Sequence, residues 1–242
     1  MIKGFIDLNR GLSRRFSNRF KNIVKSENYK EKLLSEIARF ADKKPLTRIL
    51  EAGGIDRPLL SKSEKVKYDG VDIESKPNCL QIYDDFYIQS IEEPLKEKYD
   101  VICSFTLLEH VRDNKRALYE MFVGLNSGGL MIHYVPSKYH PYSLVARMLG
   151  SEKSARLLHS VHPQTIGICG YPSYFHKCSV NEISKLCGEI GFKDIVTVPY
   201  YRANSYFEIF FPAYLLVTLW ENLCRKLRWS LFCSGFILIA TK

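Results

Sequence analysis

The hydrophobic positions of the N-terminal segment recur at helical spacing. Between residues 1 and 25 the apolar side chains are three or four positions apart, which places them on one face of an amphipathic helix. They are Phe5, Leu8, Leu12, Phe16, Phe20 and Ile23. A second helix is predicted through Leu33 and Phe40, ending near Pro45. We therefore expect residues 1–45 to form a pair of N-terminal helices.

From residue 46 onward, short apolar runs alternate with stretches of helical spacing. The predicted strands cover residues 48–54, 66–73, 86–91, 99–104, 130–135, 192–198 and 236–241. Helices are predicted over 107–125 and 179–190, and Asn126–Gly129 is predicted to be a turn. Strands that alternate with helices are typical of a parallel sheet covered on both faces. The pattern predicts an α/β domain over 46–242, with a doubly wound, mostly parallel, seven-stranded sheet.

Two further segments fall outside this alternation. Residues 136–178 are predicted to be a loop on the acceptor side of the sheet, and residues 200–230 an aromatic helical insert before the last strand. The apolar run Ile209–Trp220 contains Pro212 and is about half of the roughly 20 residues needed to cross a bilayer. The N-terminus has no apolar core of the kind that signal peptides carry. We expect a cytoplasmic protein that is able to associate peripherally with a membrane.

The charge of the chain favours an anionic partner. The formal net charge is +9, and basic residues crowd the first 25 positions, opposed there only by Asp7. They are Lys3, Arg10, Arg14, Arg15, Arg19, Lys21 and Lys25. Because apolar surface with cationic flanks suits a helix that lies on anionic lipid, a membrane surface is the first hypothesis. The alternatives are that the 200–230 insert packs as a lid or a dimer interface and that the N-terminal helix packs against the α/β domain. Nucleic acid is not expected because no base-reading motif is visible.

The cysteines and histidines indicate neither disulfides nor a metal site. The chain has seven cysteines, an odd number without a CxxC pair, as expected for reduced thiols in a cytosolic protein. Five residues in the second half of the chain contain nitrogen or sulfur ligands: His159, His162, Cys169, His176 and Cys178. Their spacing matches no standard zinc finger. We therefore expect no metal ion.

Several strand ends carry the residues that a nucleotide-like cofactor requires. Gly53 and Gly54 follow the first strand, where close approach of the backbone needs glycine. Asp72 ends the second strand, where a carboxylate accepts hydrogen bonds from ribose hydroxyls. The corners Ser90–Ile91 and Ser104–Phe105 are placed to form the slot for the base.

A nicotinamide dehydrogenase is the rival interpretation of these features. The segment after the first strand does not supply the GxGxxG fingerprint. Tyr134 and Lys138 imitate the YxxxK pair of short-chain dehydrogenases, which requires a helix. Here Tyr134 lies on a predicted strand and Pro136 opposes a helix between the two residues. We therefore reject this interpretation.

Five segments in order resemble the motifs of class I methyltransferases, which have a Rossmann-like fold and use S-adenosylmethionine. The segments are Ile49–Gly53, Gly70–Ile73, Tyr99–Ser104, Leu108–Val111 and Leu125–Leu130. The similarity covers about residues 45–242 and is greatest to the branch with quinone-biosynthesis and polysaccharide-cluster enzymes. It implies that Glu51 and Gly53 lie near the methionine part of the cofactor and that Asp72 holds the ribose. It further implies that Ile73, Ser90 and Ile91 lie near the adenine, and Ser104 at the front of the site.

The sequence departs from the family pattern in the glycine motif. The later glycines of that motif fall on Ile55 and Arg57, and an acid usual near the adenine is replaced by Ser90. These departures leave open an alternative, a degenerate relative that binds cofactor without catalysis and serves as an interaction module.

The acceptor is predicted from the ends of the chain and from two histidines. A hydroxyl acceptor needs a base to take its proton, and histidine is the usual choice. His140, beyond the fifth strand, is the first candidate, and His110, after the fourth, is the second. The sequence favours an O-methyltransferase that acts on a glycan, a lipid-linked saccharide or a quinone-like lipid.

Overall fold

A computed structural model describes residues 2–25, 27–161 and 171–242 of the chain. Within these residues the helices are α1 Ile2–Arg19, α2 Tyr29–Ala41, α3 Cys79–Ile82, α4 Asn114–Gly124, α5 Pro141–Leu149, α6 Ser151–Val161, α7 Val180–Ile190 and α8 Phe211–Leu227. The strands are β1 Thr47–Ala52, β2 Val66–Asp72, β3 Phe86–Ile88, β4 Tyr99–Phe105, β5 Leu125–Pro136, β6 Lys193–Tyr200 and β7 Gly235–Thr241. Short 3-10 helices occur at Leu108–His110, Asn204–Phe207 and Ser230–Phe232.

The seven strands form one sheet in the order β3-β2-β1-β4-β5-β7-β6. The first five strands in this order, β3, β2, β1, β4 and β5, pair in parallel. Ile49 of β1 lies opposite both Tyr68 of β2 and Val101 of β4. The middle residues of β1, β2 and β4 are buried because helices cover both faces of a parallel sheet. Since β1 begins the sheet at its centre and later strands are added on either side, the order reverses between β1 and β4. The predicted fold class is confirmed.

The last strand runs against the direction of its neighbour β5. The N–H of Gly128 donates to the carbonyl of Lys242 (3.0 Å), and the N–H of Lys242 donates to the carbonyl of Gly129 (3.1 Å). The beginning of β5 is thus joined to the end of β7. The sheet is therefore mixed, with an antiparallel strand inserted near one edge.

The chain divides into two compact units. The sheet unit comprises residues 28–136, 174–198 and 236–242, and the helical unit comprises residues 1–27, 137–173 and 199–235. The division differs from the predicted boundary at residue 45, because α2 belongs to the sheet unit and α1 to the helical unit. The buried side chains of α2, Leu33 and Ile37, explain this difference, since this helix packs against β5.

The segment 136–178, predicted to be a loop, contains the two helices α5 and α6. Pro141 occupies the first turn of α5, where a missing N–H costs nothing. His140 caps the helix, since its ring Nδ1 accepts from the backbone N–H of Tyr142 (3.2 Å). Two of the residues considered above as possible metal ligands, His162 and Cys169, lie outside the described residues.

Three other boundaries shift for local reasons. Helix α8 begins at Phe211, and Pro212 lies in its first turn instead of interrupting it. The helix predicted from residue 107 begins at Asn114, because Asp113 caps it by accepting from two backbone N–H groups. The predicted turn at Asn126–Gly129 is part of β5, which pairs irregularly with β4 there. Among the described residues, no helix is long and apolar enough to cross a membrane.

Candidate functional site

The reversal of strand order places the ends of β1 and β4 side by side. Gly53, directly after β1, has a φ of +83° and donates its N–H to the carbonyl of Val71 (2.9 Å). A Cβ at Gly53 would lie 3.0 Å from Cδ1 of Leu107, which follows β4. A side chain at this position would therefore be strained and crowded. Such a crevice outside the carboxyl ends of the strands is where open α/β sheets bind ligands.

Glu51 is buried at the end of β1, with 2% of its surface exposed. Its Oε2 accepts hydrogen bonds from the N–H of Leu59 (3.0 Å) and from the hydroxyls of Tyr83 (3.3 Å) and Tyr68. Burial raises the pKa of Glu51 to about 7, although the bonds from Leu59 and Tyr83 and the charge of Lys30 act in the opposite direction. The carboxyl group of Glu51 is therefore a titratable group at the base of the crevice.

Asp72 is half-buried at the end of β2. Its Oδ1 accepts from the backbone N–H of Glu74 (3.0 Å), and burial is the largest cause that raises its pKa. Within the described part of the chain no Lys, Arg or His forms an ion pair with Asp72. The neighbouring Ile73 is 61% exposed. A carboxylate next to an exposed apolar side chain suits a ribose with an adenine beside it.

The two predicted corners of the base slot differ in accessibility. Ser90 is half-buried, and its Oγ accepts from the N–H of Glu92 (3.1 Å), while Ile91 is buried. Ser104 is fully buried, and its Oγ lies 2.7 Å from Nδ1 of His133. The side chain of Ser104 is thus committed to the interior of the sheet, and only its backbone is left to line the crevice.

Phe105 belongs to an aromatic stack at the ends of β4 and β5. Its ring centroid is 5.0 Å from that of Tyr134 and 5.8 Å from that of Tyr29 in α2. Tyr29 and Tyr134 stack at 4.2 Å with nearly parallel rings. Phe105 and Tyr29 remain partly exposed, so this stack can contribute an aromatic wall.

His133 is fully buried in β5, which confirms its interpretation as a core residue. Burial lowers the pKa of its imidazole to about 3, so the ring is neutral at physiological pH. It therefore contributes packing and the bond to Ser104, and no proton transfer is assigned to it.

His110 and Glu109 lie in the 3-10 helix that follows β4. The side chain of His110 is 30% exposed, and its Nε2 lies 3.7 Å from Oε1 of Glu109. Glu109 is buried, its Oε2 has no hydrogen-bond partner among the described residues, and burial raises its pKa to about 8. A partly exposed histidine next to a buried acid is a combination that occurs at functional sites.

His140 lies in the helical unit and has no exposed surface. Besides its capping bond through Nδ1, its Nε2 lies 3.3 Å from Oε1 of Glu221, outside hydrogen-bond geometry. Glu221 is also buried and binds Nη1 of Arg202 (2.7 Å) and the N–H of Ala203 (2.7 Å). Both ring nitrogens of His140 thus face interior groups. Its role as a base stays a prediction, and its burial makes it the weaker of the two histidines.

Ile55, which occupies the position of a glycine in the family motif, has an unusual backbone conformation. Ile55 has a φ of +44°, in the left-handed region that glycine occupies readily and β-branched residues rarely do. Its side chain is nevertheless buried. The loop therefore keeps a glycine-like backbone at this position although the residue is isoleucine.

Some contacts at the crevice carried no signal in the sequence. Tyr68 and Tyr83, which hold Glu51, are separated from it by 17 and 32 positions, and tyrosines at that spacing match no motif. Tyr29 lies outside the five segments that resemble the family motifs. In the described ranges, no group of three or more His, Cys, Asp or Glu side chains is placed to hold a metal ion.

Comparison with protein families identifies the class of the chain. The model of a methyltransferase domain family matches residues 26–196, which is more than half of the sequence. The chain belongs to this methyltransferase domain family. Its fold is the class I fold, and the methyl donor that accompanies this family and fold is S-adenosylmethionine. A comparison with curated protein sequences finds no match.

Solved methyltransferase structures share the fold. The CurJ carbon methyltransferase is 17% identical, with a TM-score of 0.53 over 86% of this chain and 53% of its own. Phosphoethanolamine N-methyltransferase 2 of Haemonchus contortus, solved with S-adenosylhomocysteine, is 14% identical, with a TM-score of 0.54 over 100% and 60%. A methyltransferase of Archaeoglobus fulgidus is 16% identical, with a TM-score of 0.50 over 94% and 98%. The chain thus spans little more than half of the first two. At these identities the likeness establishes the fold alone.

Replacement of Asp72 by alanine is expected to weaken binding of S-adenosylmethionine by about 1.5–3 kcal/mol, which is roughly 10- to 150-fold in Kd. The reason is the loss of charge-assisted hydrogen bonds to the ribose. Calorimetry with the purified protein measures the effect, and Glu64→Ala, which removes an exposed carboxylate in the same unit, is the matched control. Equal affinities of Asp72→Ala and wild type would remove Asp72 from the site.

Proposed function

We propose that the chain transfers the methyl group of S-adenosylmethionine to a hydroxyl of a glycan, a lipid-linked saccharide or a quinone-like lipid. The observation that carries the proposal is the alignment of Gly53, Asp72 and His110 with the carboxyl ends of β1, β2 and β4, in a chain of the methyltransferase family. These strands are neighbours in the sheet. Cofactor-binding groups and a candidate base therefore lie along one edge.

The residues along this edge fit the cofactor. The Asp72 carboxylate would accept hydrogen bonds from the ribose hydroxyls, the exposed Ile73 would pack against the adenine, and Gly53 would let the backbone approach closely. Glu51, in its ionised form, attracts the ammonium group of the methionine part. Bound S-adenosylmethionine supplies an electrophilic methyl group that an oxygen can attack in line.

The protein contributes positioning and proton transfer. In-line displacement depends on holding the two reactants at the correct distance and angle. A hydroxyl attacks readily only when a base removes its proton, and His110 is our first choice because it follows β4 and its ring is partly exposed. Glu109, neutral through burial, limits the orientations of that ring without adding a negative charge.

Incubation with labelled S-adenosylmethionine and pools of glycans, lipid-linked saccharides and isoprenoid quinols tests the proposal. We expect label in one pool, in a product whose methyl group resists mild acid as an ether does. Binding of cofactor without transfer to any pool would instead favour the non-catalytic interaction module. Label on carbon or nitrogen would contradict the choice of oxygen.

We further propose that the helical unit associates peripherally with anionic membranes. Helix α1 forms two hydrogen bonds with the beginning of α8 and the residues before it. Asn9 accepts from the N–H of Phe211 (2.9 Å), and Ser13 donates to the carbonyl of Glu208 (3.3 Å). Its apolar residues Phe5 and Leu8 are instead 53% and 63% exposed. This helix thus packs through these polar contacts and through Phe16, whose ring centroid lies 6.1 Å from that of Phe211, and it leaves Phe5 and Leu8 largely exposed.

Helix α8 exposes a leucine stripe on the side opposite to its buried residues. The stripe consists of Leu216, Leu219, Leu223 and Leu227. Helix α5 adds Leu144, Val145, Met148 and Leu149, which are also exposed. Three arginines, Arg14, Arg15 and Arg19, are exposed on α1. Exposed apolar helices with basic flanks suit an anionic lipid surface.

Binding to phosphatidylserine vesicles is expected to weaken as salt rises, because each basic side chain near the surface contributes about 1 kcal/mol that salt screens. The triple variant Arg14→Gln, Arg15→Gln, Arg19→Gln is expected to lose most of this binding. The double variant Leu216→Gln, Leu219→Gln is expected to weaken vesicle binding about tenfold or more, because two apolar side chains are no longer transferred from water into the lipid. Vesicle flotation measures all of these.

The control is Leu80→Gln, which changes an exposed leucine of the sheet unit and is expected to leave flotation unchanged. A wild-type protein that stays with the soluble fraction at low salt would contradict the membrane proposal. A concentration-dependent dimer, detected by light scattering and abolished by the leucine variants, would assign the stripe to a second copy of the chain.

A further inference from the structure

The carboxyl of Glu51 is tied to the loop that follows β1 through two buried tyrosines. Tyr68 donates its hydroxyl to Oε2 of Glu51 and accepts from the N–H of Leu60 (3.2 Å). Glu51 itself accepts from the N–H of Leu59 (3.0 Å). Two successive backbone N–H groups of the loop are therefore held by one buried carboxyl–tyrosine pair.

The other end of the loop lies on the same network. A Cβ at Gly54 would collide with the hydroxyl of Tyr83 and would lie 2.6 Å from Oε1 of Glu51. Tyr83 in turn donates to Oε2 of Glu51 (3.3 Å). Gly54 is thus needed because the network occupies the space that a side chain would fill. The network therefore fixes the loop at its beginning and at residues 59–60.

We infer that Tyr68 and Tyr83 are positioning residues for the cofactor: the two tyrosines hold Glu51 and the loop that follows β1. A consequence is that cofactor affinity depends on the ionisation of Glu51. This inference rests on the proposed binding of S-adenosylmethionine at this loop. Neither tyrosine needs to touch the cofactor. Their hydroxyls donate to the carboxylate, and an ionised carboxylate accepts all the bonds that surround it here.

The surroundings of Glu51 set the direction of the pH dependence. Burial raises the pKa of its carboxyl to about 7, and the groups that face it are Tyr68, Tyr83, the Lys30 ammonium and the buried thiol of Cys103. In the free protein the ionised form is therefore disfavoured, so below pH 7 most molecules carry a protonated Glu51. The ammonium group of the cofactor favours the ionised form. Binding below pH 7 must then release a proton, and affinity must fall as pH falls.

Calorimetry with S-adenosylmethionine between pH 5.5 and 7.5 tests the inference. For the wild type we expect the affinity to fall by up to about tenfold per pH unit below pH 7 and to level off above it. Tyr83→Phe keeps the ring but removes a donor to the ionised form, so the pKa of Glu51 rises and the curve moves to higher pH. Tyr99→Phe, a buried tyrosine of β4 that donates nothing to Glu51, is expected to leave the curve in place.

Glu51→Gln is the second variant, and it is expected to bind weakly and with no pH dependence over this range. Thermal melts confirm that each variant is folded. Wild-type binding with a flat pH profile, or an equal shift in Tyr83→Phe and Tyr99→Phe, overturns this inference and leaves cofactor binding intact. No binding by the folded wild type at any pH overturns the proposed function and this inference with it.

Discussion

Replacement of His110 by alanine is expected to lower turnover of a hydroxyl acceptor by about 10²-fold or more, with little change in cofactor affinity. The imidazole is 30% exposed after β4, whereas the rival base His140 is completely buried. Without a base, the hydroxyl must attack while it still carries its proton. Single-turnover kinetics with labelled cofactor separates this chemical step from binding and product release.

His176→Ala is the matched control, because it removes another partly exposed histidine of the sheet unit. It is expected to keep most of the activity. Variant His140→Ala decides between the two candidates: we expect it to lower stability more than turnover, since the ring caps α5 from the interior. Full activity in His110→Ala together with a specific loss of turnover in a folded His140→Ala would restore His140 as the base.

Replacement of Glu221 by alanine is expected to lower the free energy of unfolding by about 3–5 kcal/mol. Its carboxylate is fully buried, and its partner Arg202 is nearly so, with Nη1 2.7 Å from Oε2. The variant would leave a guanidinium buried without its counter-ion, and the N–H of Ala203 without its acceptor. Urea denaturation followed by circular dichroism measures the change.

Glu152→Ala provides the contrast, because it breaks an ion pair with Arg156 in which both side chains are about four-fifths exposed (82% and 79%). Exposed pairs of this kind contribute about 1 kcal/mol or less, so this variant is expected to melt almost as the wild type does. Similar losses in the two variants would contradict a central role of Glu221 in the helical unit.

The sheet could be predicted because its signals are local. Most strands contain a short run of apolar residues, and Gly53 follows β1 while Asp72 ends β2, at the spacing that a cofactor site requires. The same reasoning predicted that His133 belongs to the core. The order of these local signals along the chain was therefore enough to predict most of the fold and the edge of the sheet that carries the candidate site.

The parts that escaped prediction depend on contacts between distant positions. Nothing near Tyr83 in the sequence indicates that its hydroxyl reaches Glu51, and nothing near His140 indicates that Glu221 lies beside it. The effect of Pro212 depends on the structure for a different reason: a proline ends a helix in its interior but begins one in its first turn, and Pro212 lies in the first turn of α8. Position within the element, which only the structure gives, decides between these effects.

The helical unit is assembled from three stretches of sequence that are far apart, and this has a consequence for the order of folding during synthesis. Glu27 accepts from the N–H of Tyr201, 174 positions later (2.6 Å), and Arg202 pairs with Glu221 later still. A growing chain of 136 residues already contains β1 to β5, whereas α1 lacks its partners Glu208 and Phe211 until the last third of the chain has left the ribosome. During that interval the exposed Phe5 and Leu8 are available to chaperones, and a ribosome stalled before residue 200 would hold a nascent chain with strands β1 to β5 and an unpaired first helix.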